Sequence, residues 1–116
     1  MILNDLQDAL LSVDENVYYG TAEQHPKDKR WDYIVFSRDV ISRNDNRTSL
    51  TDTVNVAIVR EEYIEEGLPE TIVDTVEGLK GFRLASGNHE YFYTVKPNTN
   101  LVVEMLVLKF THSRKK

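Results

Sequence analysis

Two stretches of the chain carry apolar residues at the spacing of an amphipathic helix. The first predicts a helix over about residues 2–12, and the second predicts a helix over about residues 69–79. In the second stretch Pro69 suits the first helical position, because the N–H that proline lacks has no partner there. The apolar positions are Leu3, Leu6, Leu10 and Val13 in the first stretch, and Leu68, Ile72, Val73, Val76 and Leu79 in the second.

Alternating and β-branched apolar residues predict the strands. The predicted strands are residues 17–19, 31–40, 53–60, 90–95 and 101–111. The second of them has apolar side chains on both faces, so we expect it in the middle of the sheet. The last two are separated by turn residues, Pro97 to Asn100, and therefore predict a hairpin. The pattern leaves open whether residues 82–84 form a short strand of their own.

A long polar segment, residues 37–52, separates two of these strands. It has neither a helical nor a strand period, and irregular connections longer than about 12 residues are uncommon in compact domains. Such connections tend to be functional or disordered. If the two flanking strands are neighbours in the sheet, the segment is the extended arm of a hairpin.

The order of elements predicts the α+β class. We expect an antiparallel or mixed sheet of four to five strands, with a long polar loop between two of them. Both helices are expected on one face of the sheet, because that arrangement buries their apolar stripes together. The length of 116 residues suits one domain, 1–116, and the basic residues 113–116 are expected to form a flexible tail.

Composition removes several classes of function. The chain has no cysteine, which excludes disulfides, thiol nucleophiles and thiolate zinc sites. No stretch approaches the ~20 apolar residues of a membrane span, and the start lacks the basic flank of a signal peptide, so we expect a cytoplasmic protein without membrane contact. The net charge of −5 argues against specific nucleic-acid binding, because phosphate contact requires a basic surface.

No constellation of catalytic residues is recognisable. The three histidines, His25, His89 and His112, lie far apart in sequence, and we interpret them as structural or solvent-exposed. Motifs for nucleophilic serine, nucleotide or dinucleotide chemistry are missing from the sequence. We therefore predict no catalytic residue, no cofactor and no metal site, and a protein that binds or assembles rather than an enzyme. A metal-dependent enzyme that uses the glutamates of residues 61–66 with His89 is the least favoured alternative.

Two other clusters have a structural and a functional interpretation. The acidic segment 61–66 is either a solvated turn before the second helix, favoured by the positive helix end, or a surface that faces a partner. The aromatic residues Trp31, Tyr18, Tyr19 and Tyr33 are either core and sheet-edge residues or a stacking platform. In both cases we favour the structural interpretation.

Several short sequence segments, together with the order of elements, resemble the small tail-terminator and tail-completion proteins of long-tailed bacteriophages, including minor tail and head–tail joining proteins. The resemblance covers nearly the whole chain. The segments that carry it are Ile2 to Leu10, Val17 to Gly20, Trp31 to Phe36 and Asp52 to Val56, followed by a helix and a hairpin. It implies a non-enzymatic structural protein of the virion tail, phage- or prophage-encoded and assembled in the host cytoplasm. Such proteins form a ring, usually of about six copies, that caps the tail tube, stops its polymerisation and provides the head-attachment surface. The implied partners are further copies of the chain, the tail-tube protein, and a head-connector or neck protein.

Under this resemblance, two sets of residues are candidates for assembly contacts. The polar arm has the length to reach a neighbouring subunit, and its mixed charges favour a contact that sets the register. The acidic cluster would line the lumen of the ring, where it repels DNA, or face a partner. The arm residues are Arg38, Arg43, Asp45, Arg47 and Asp52, and the acidic residues are Glu61, Glu62, Glu65 and Glu66. The alternatives are a neck or head-completion protein, and a small adaptor that covers another protein with an open sheet edge.

Overall fold

The helices and strands that the hydrophobic pattern predicts are all present in the computed structural model, which describes residues 2–26, 28–43 and 49–115. In chain order the elements are α1 (Ile2–Leu11), β1 (Val17–Tyr19), β2 (Tyr33–Arg43), β3 (Ser49–Glu61), α2 (Leu68–Glu77), β4 (Phe82–Leu84), β5 (Tyr91–Val95) and β6 (Val102–Lys115).

The strands form one mixed sheet with the order β1-β2-β3-β6-β4. β1 runs parallel to β2, and all other pairs are antiparallel. One side of β6 pairs with β3 along its length, while its other side pairs with β5 near the start and with β4 near the end. The α+β class and the mixed sheet are confirmed. The sheet has six strands rather than four to five, since residues 82–84 pair with residues 110–112.

Both helices pack on one face of the sheet, as the two apolar stripes predict. Alternate residues of the central strands point to this face, because side chains along a strand point to opposite faces in turn. The helices contribute Leu6, Leu10, Ile72 and Val76 to the core, and the sheet contributes Ile34, Phe36, Val54, Val56, Ile58, Leu106, Leu108 and Phe110.

The long polar loop predicted between two strands is itself largely β-structure. β2 continues to Arg43, β3 begins at Ser49, and the two strands pair out to Arg43 opposite Leu50. A register shift between Arg38 and Val40 marks a β-bulge, which bends and twists the strand there. We call residues 38–43 of β2 and 49–53 of β3 the arm. Residues 41–43 extend β2 beyond the predicted strand 31–40, and because they are exposed, no hydrophobic alternation in their sequence predicts a strand.

The predicted flexible tail is also part of the sheet. β6 extends to Lys115, and its last residues pair with the first residues of β3, Ser49 opposite Lys115. The end of β6 therefore lies beside the arm as a third strand, and Lys116 lies outside the described residues. This correction follows from long-range pairing, because the basic sequence 113–116 has no apolar residue to indicate a strand.

Candidate subunit interface

The arm residues predicted from the sequence lie on different strands of the arm. Arg38 and Arg43 are exposed on β2, while Asp52 is half-buried on β3 and lies opposite Ile41. Asp45 and Arg47 fall outside the described residues. Since β3 lies between β2 and β6, Asp52 occupies the middle strand, and the two arginines occupy the outer one. The outer strand of the arm is therefore basic.

The outer edge of β2 is open along the arm. β1 pairs only with residues 34–36, and in the described part of the chain no strand pairs with the outer edge beyond them. Two apolar side chains are exposed here, Val40 at 56% and Ile41 at 57%. Asp39 pairs with Lys109 of β6 at 3.1 Å, so its charge is compensated within the subunit. The open edge thus combines apolar and basic side chains.

The opposite side of the sheet has a second open edge, formed by β5. All five residues of β5 are exposed, and Tyr91, Phe92, Tyr93 and Val95 are between 47% and 62% exposed. Natural sheets protect such an edge with lysine, proline or a bulge. β5 contains neither lysine nor proline, and its pairing with β6 shows no register shift. An aromatic edge of this kind is an aggregation hazard unless a partner covers it.

Side-chain contacts hold β5 in place. The Tyr93 hydroxyl donates to Glu104 Oε2 at 2.7 Å, and this bond raises the pKa of Tyr93 above its ordinary value. Glu104 Oε1 accepts the N–H of Ile64 at 2.8 Å. In the following turn, Lys96 donates its backbone N–H to the Leu101 carbonyl at 2.9 Å. The exposed edge is therefore preorganised rather than a loosely attached segment.

The four glutamates of the predicted acidic surface do not form one surface. Glu61, the last residue of β3, is only 5% exposed, and its carboxylate accepts from Lys96 Nζ at 2.6 Å and from the Trp31 N–H at 3.0 Å. Glu62 has φ 71°, a left-handed conformation that turns the chain away from β3. Glu62, Glu65 and Glu66 are exposed. Glu61 therefore does not belong to the predicted lumen or partner face, because its buried carboxylate pairs with Lys96 inside the subunit.

The ionised form of Glu61 is favoured in the folded protein. The hydrogen bond from Lys96 is the main reason that its pKa lies below the ordinary value, and the Trp31 N–H adds to the effect, although burial opposes it. A carboxylate with a lowered pKa stabilises the fold above its unfolded pKa, and this stability is lost as the pH falls through the folded value. The contact connects the β5–β6 turn to the segment before β2.

We expect the Glu61→Gln variant to melt below the wild type at about pH 7, because glutamine carries no charge and leaves the Lys96 ammonium without its counter-ion. The difference in melting temperature should shrink as the pH falls from 4.5, the reference pKa of the carboxyl, through the lower pKa of the folded protein, because the wild-type side chain is neutral below that value as well. Thermal melts followed by circular dichroism at several pH values measure this difference. Glu66→Gln, at an exposed position, is the matched control and should show little difference at any pH. A Glu61→Gln difference that is constant with pH would contradict the prediction.

Two of the three histidines, His25 and His89, have structural hydrogen-bond partners. His112 instead packs its ring against Phe82, and its buried Nδ1 has no hydrogen-bond partner among the described residues. His25 is buried, and its Nε2 faces the Arg30 carbonyl at 3.0 Å while its Nδ1 faces the Tyr18 hydroxyl at 2.9 Å. Because a carbonyl only accepts, Nε2 carries a proton, and in the neutral ring Nδ1 then accepts from the Tyr18 hydroxyl. His89 Nδ1 accepts the N–H of Lys109 at 3.3 Å. The described residues contain no group of three or more histidines and carboxylates placed to hold a metal.

The aromatic cluster packs ring against ring beside the sheet. Tyr18 and Tyr33 have centroids 6.0 Å apart, and His25 and Tyr33 have centroids 4.8 Å apart. By strand alternation Tyr33 lies on the face of β2 opposite to Ile34 and the helices. A cavity of about 280 Å³ next to this cluster is lined by Ala22, Glu23, His25, Trp31 and Tyr33. These contacts agree with the structural interpretation of the aromatic residues.

Comparisons with known proteins give no relative for this chain: no family matches it, and no curated protein does. In the described part of the chain, no helix is long and apolar enough to cross a membrane.

Proposed function

We propose that this protein is a virion assembly protein of the tail-terminator type. It forms a ring of about six copies on the end of a bacteriophage tail tube, stops tube polymerisation and provides the surface to which the head attaches. Its partners are its own copies, the tail-tube protein and a head-connector or neck protein, and its place is the virion tail. In this role it carries out no catalysis.

The observation that supports the proposal best is the pair of open edges on opposite sides of one sheet. A ring built from identical subunits needs two different surfaces on each subunit, because a head-to-tail contact must be repeated until it closes by rotation. The outer edge of the arm and the outer edge of β5 are separated by β3 and β6, and they differ in composition. One chain thus carries two distinct surfaces that are suited to association.

The β5 edge also favours a second candidate, a small adaptor. An exposed strand can pair with an extended segment of another protein by adding one strand to a sheet. An adaptor needs only this single edge, whereas the ring needs both the β5 edge and the arm. A neck or head-completion protein would use the same two edges as a terminator, but it would bind a finished tail.

The proposal is tested by polymerising a bacteriophage tail-tube protein, chosen from the same genome as this protein, with and without this protein, and measuring tube lengths by electron microscopy. We expect shorter tubes, each with a ring-shaped cap at one end, at less than one copy of this protein per tube subunit. Tubes of unchanged length without caps would contradict the proposal. Binding to the ends of finished tails without arrest of growth would instead indicate the neck protein.

A further inference from the structure

We propose that neighbouring copies of this protein associate by edge-to-edge strand pairing, in which the outer edge of β5 pairs with the outer edge of the arm, residues 40–43 of β2, in the next copy. The proposal rests on the ring proposed above and names its subunit interface. It joins one continuous sheet across the contact, as strand addition does in other protein complexes.

The backbone of β5 is arranged for such pairing. Lys96 donates its N–H to the Leu101 carbonyl, and in an antiparallel pair the bonded positions recur at every second residue. The backbone groups of Thr94 and Phe92 therefore point towards β6, and those of Tyr93 and Val95 point outwards. Among the described residues, no strand pairs with this outer side. A partner strand would satisfy these outward donors and acceptors.

The arm offers a matching edge. Beyond its bulge, β2 is regular from Val40 to Arg43, opposite residues 50–53 of β3. Val40 and Ile41 are both more than half exposed, and β-branched side chains pair well with aromatic ones across neighbouring strands. Val40 and Ile41 point to opposite faces of β2, so Tyr91, Tyr93 and Val95 supply partners on one face of β5 and Phe92 supplies a partner on the other.

The charges around the two edges favour pairing of unlike edges. The arm strand carries Arg38 and Arg43, so pairing of two arms would bring like charges together. Acidic residues lie close to β5: Glu90 is exposed and directly precedes it, and the Glu104 carboxylate accepts from the Tyr93 hydroxyl. Two charges that would oppose this contact, Asp39 on the arm and Lys96 after β5, are paired within the subunit. An arm against a β5 edge therefore places opposite charges near each other, and this contact is head-to-tail.

Mixing two single-edge variants tests the head-to-tail contact. The edge variant is Tyr91→Lys with Val95→Lys, and the arm variant is Ile41→Asp with Arg43→Glu; all four positions are exposed, so both variants should fold. By native mass spectrometry over about 1 µM to 1 mM, we expect each variant alone to be monomeric. Because each retains one intact edge, their mixture should form a 1:1 dimer of about twice the 13.4 kDa chain mass and nothing larger. A mixture that stays monomeric, or a variant that still forms larger oligomers alone, would overturn the proposal.

Cysteine cross-linking tests the same contact on the tail tube, because the chain has no cysteine of its own. Single-cysteine variants Ile41→Cys and Val95→Cys are mixed with tubes and oxidised, and a chain that carries both substitutions is treated in parallel. We expect the mixture to give a cross-linked dimer and the double variant to give a ladder of up to about six chains. Glu70→Cys, at an exposed position of α2, is the matched control. Cross-linking no greater than that of the control would overturn the proposal.

The failure of this inference differs from the failure of the proposed function. If tubes are capped but arm and β5 cysteines do not cross-link above the control, the interface is wrong and the terminator function stands. If the 1:1 dimer forms but the wild type leaves tubes uncapped, the edge pairing stands and the terminator function is wrong.

Discussion

Replacing Phe110 with alanine should lower the free energy of unfolding by about 3–5 kcal/mol. Phe110 is 0% exposed on β6, in the core below the two helices. Its register partners are Val54 on β3 and Leu84 on β4, so a paired strand borders Phe110 on each side. Loss of the ring removes buried apolar area and leaves a cavity that these strands cannot close. Urea unfolding of the monomer measures the change.

Phe92→Ala is the matched control for this prediction. Phe92 has the same side chain but is 47% exposed on β5, and surface substitutions usually change stability by about 0.5 kcal/mol or less. Equal losses for the two variants would show that β5 is buried in the folded monomer, which would contradict the open edge. If both variants keep the m-value of the wild type, the surface exposed on unfolding is the same, and the change in midpoint measures a change in stability.

The second large effect is expected for Asp14→Ala, which should cost about 3–5 kcal/mol. Asp14 Oδ2 accepts from Arg60 Nη2 at 2.7 Å, and the two side chains are only 8% and 9% exposed. Arg60 Nη1 also donates to the Val59 carbonyl at 3.0 Å and to the Tyr33 carbonyl at 3.4 Å. Without Asp14 the guanidinium of Arg60 stays buried but loses its buried counter-ion. Leaving a buried charge unpaired in this way lowers the free energy of unfolding strongly. The pair joins the end of α1 to the central strands.

Two further variants separate charge burial from a general loss of contact. Glu65 accepts from the same guanidinium at 3.1 Å but is 58% exposed, so Glu65→Ala should cost no more than about 1 kcal/mol. Adding Arg60→Met to Asp14→Ala removes the unpaired cation and should recover part of the lost stability. Unfolding midpoints of the four proteins, including the wild type, measure this. No recovery in the double variant would mean that the cost lies elsewhere, for example in the bond from the Asn16 N–H to Asp14 Oδ1.

The buried ion pairs show where sequence reasoning misses functional and structural detail. The run of residues 61–66 looks like one acidic cluster, yet Glu61 is buried against Lys96, 35 positions later in the chain. The run itself contains nothing that separates Glu61 from Glu62. The sequence predicts a strand over residues 90–95, and β5 spans Tyr91–Val95. The sequence does not predict that this strand is exposed, because an aromatic segment has the same pattern whether its edge is covered or open.

The sequence by itself determined the α+β class, both helices, the central strands and the apolar positions of the core, because these follow from local periodicity and from turn residues. Only the tertiary structure decided that residues 41–43 and 49–52 extend the two predicted strands, that the basic end of the chain pairs with the start of β3, and which edges of the sheet stay open. Each of these depends on pairing between distant segments, as between Ser49 and Lys115. Backbone hydrogen bonds stabilise that pairing whatever the side chains are, and such bonds leave no periodic signal in the sequence.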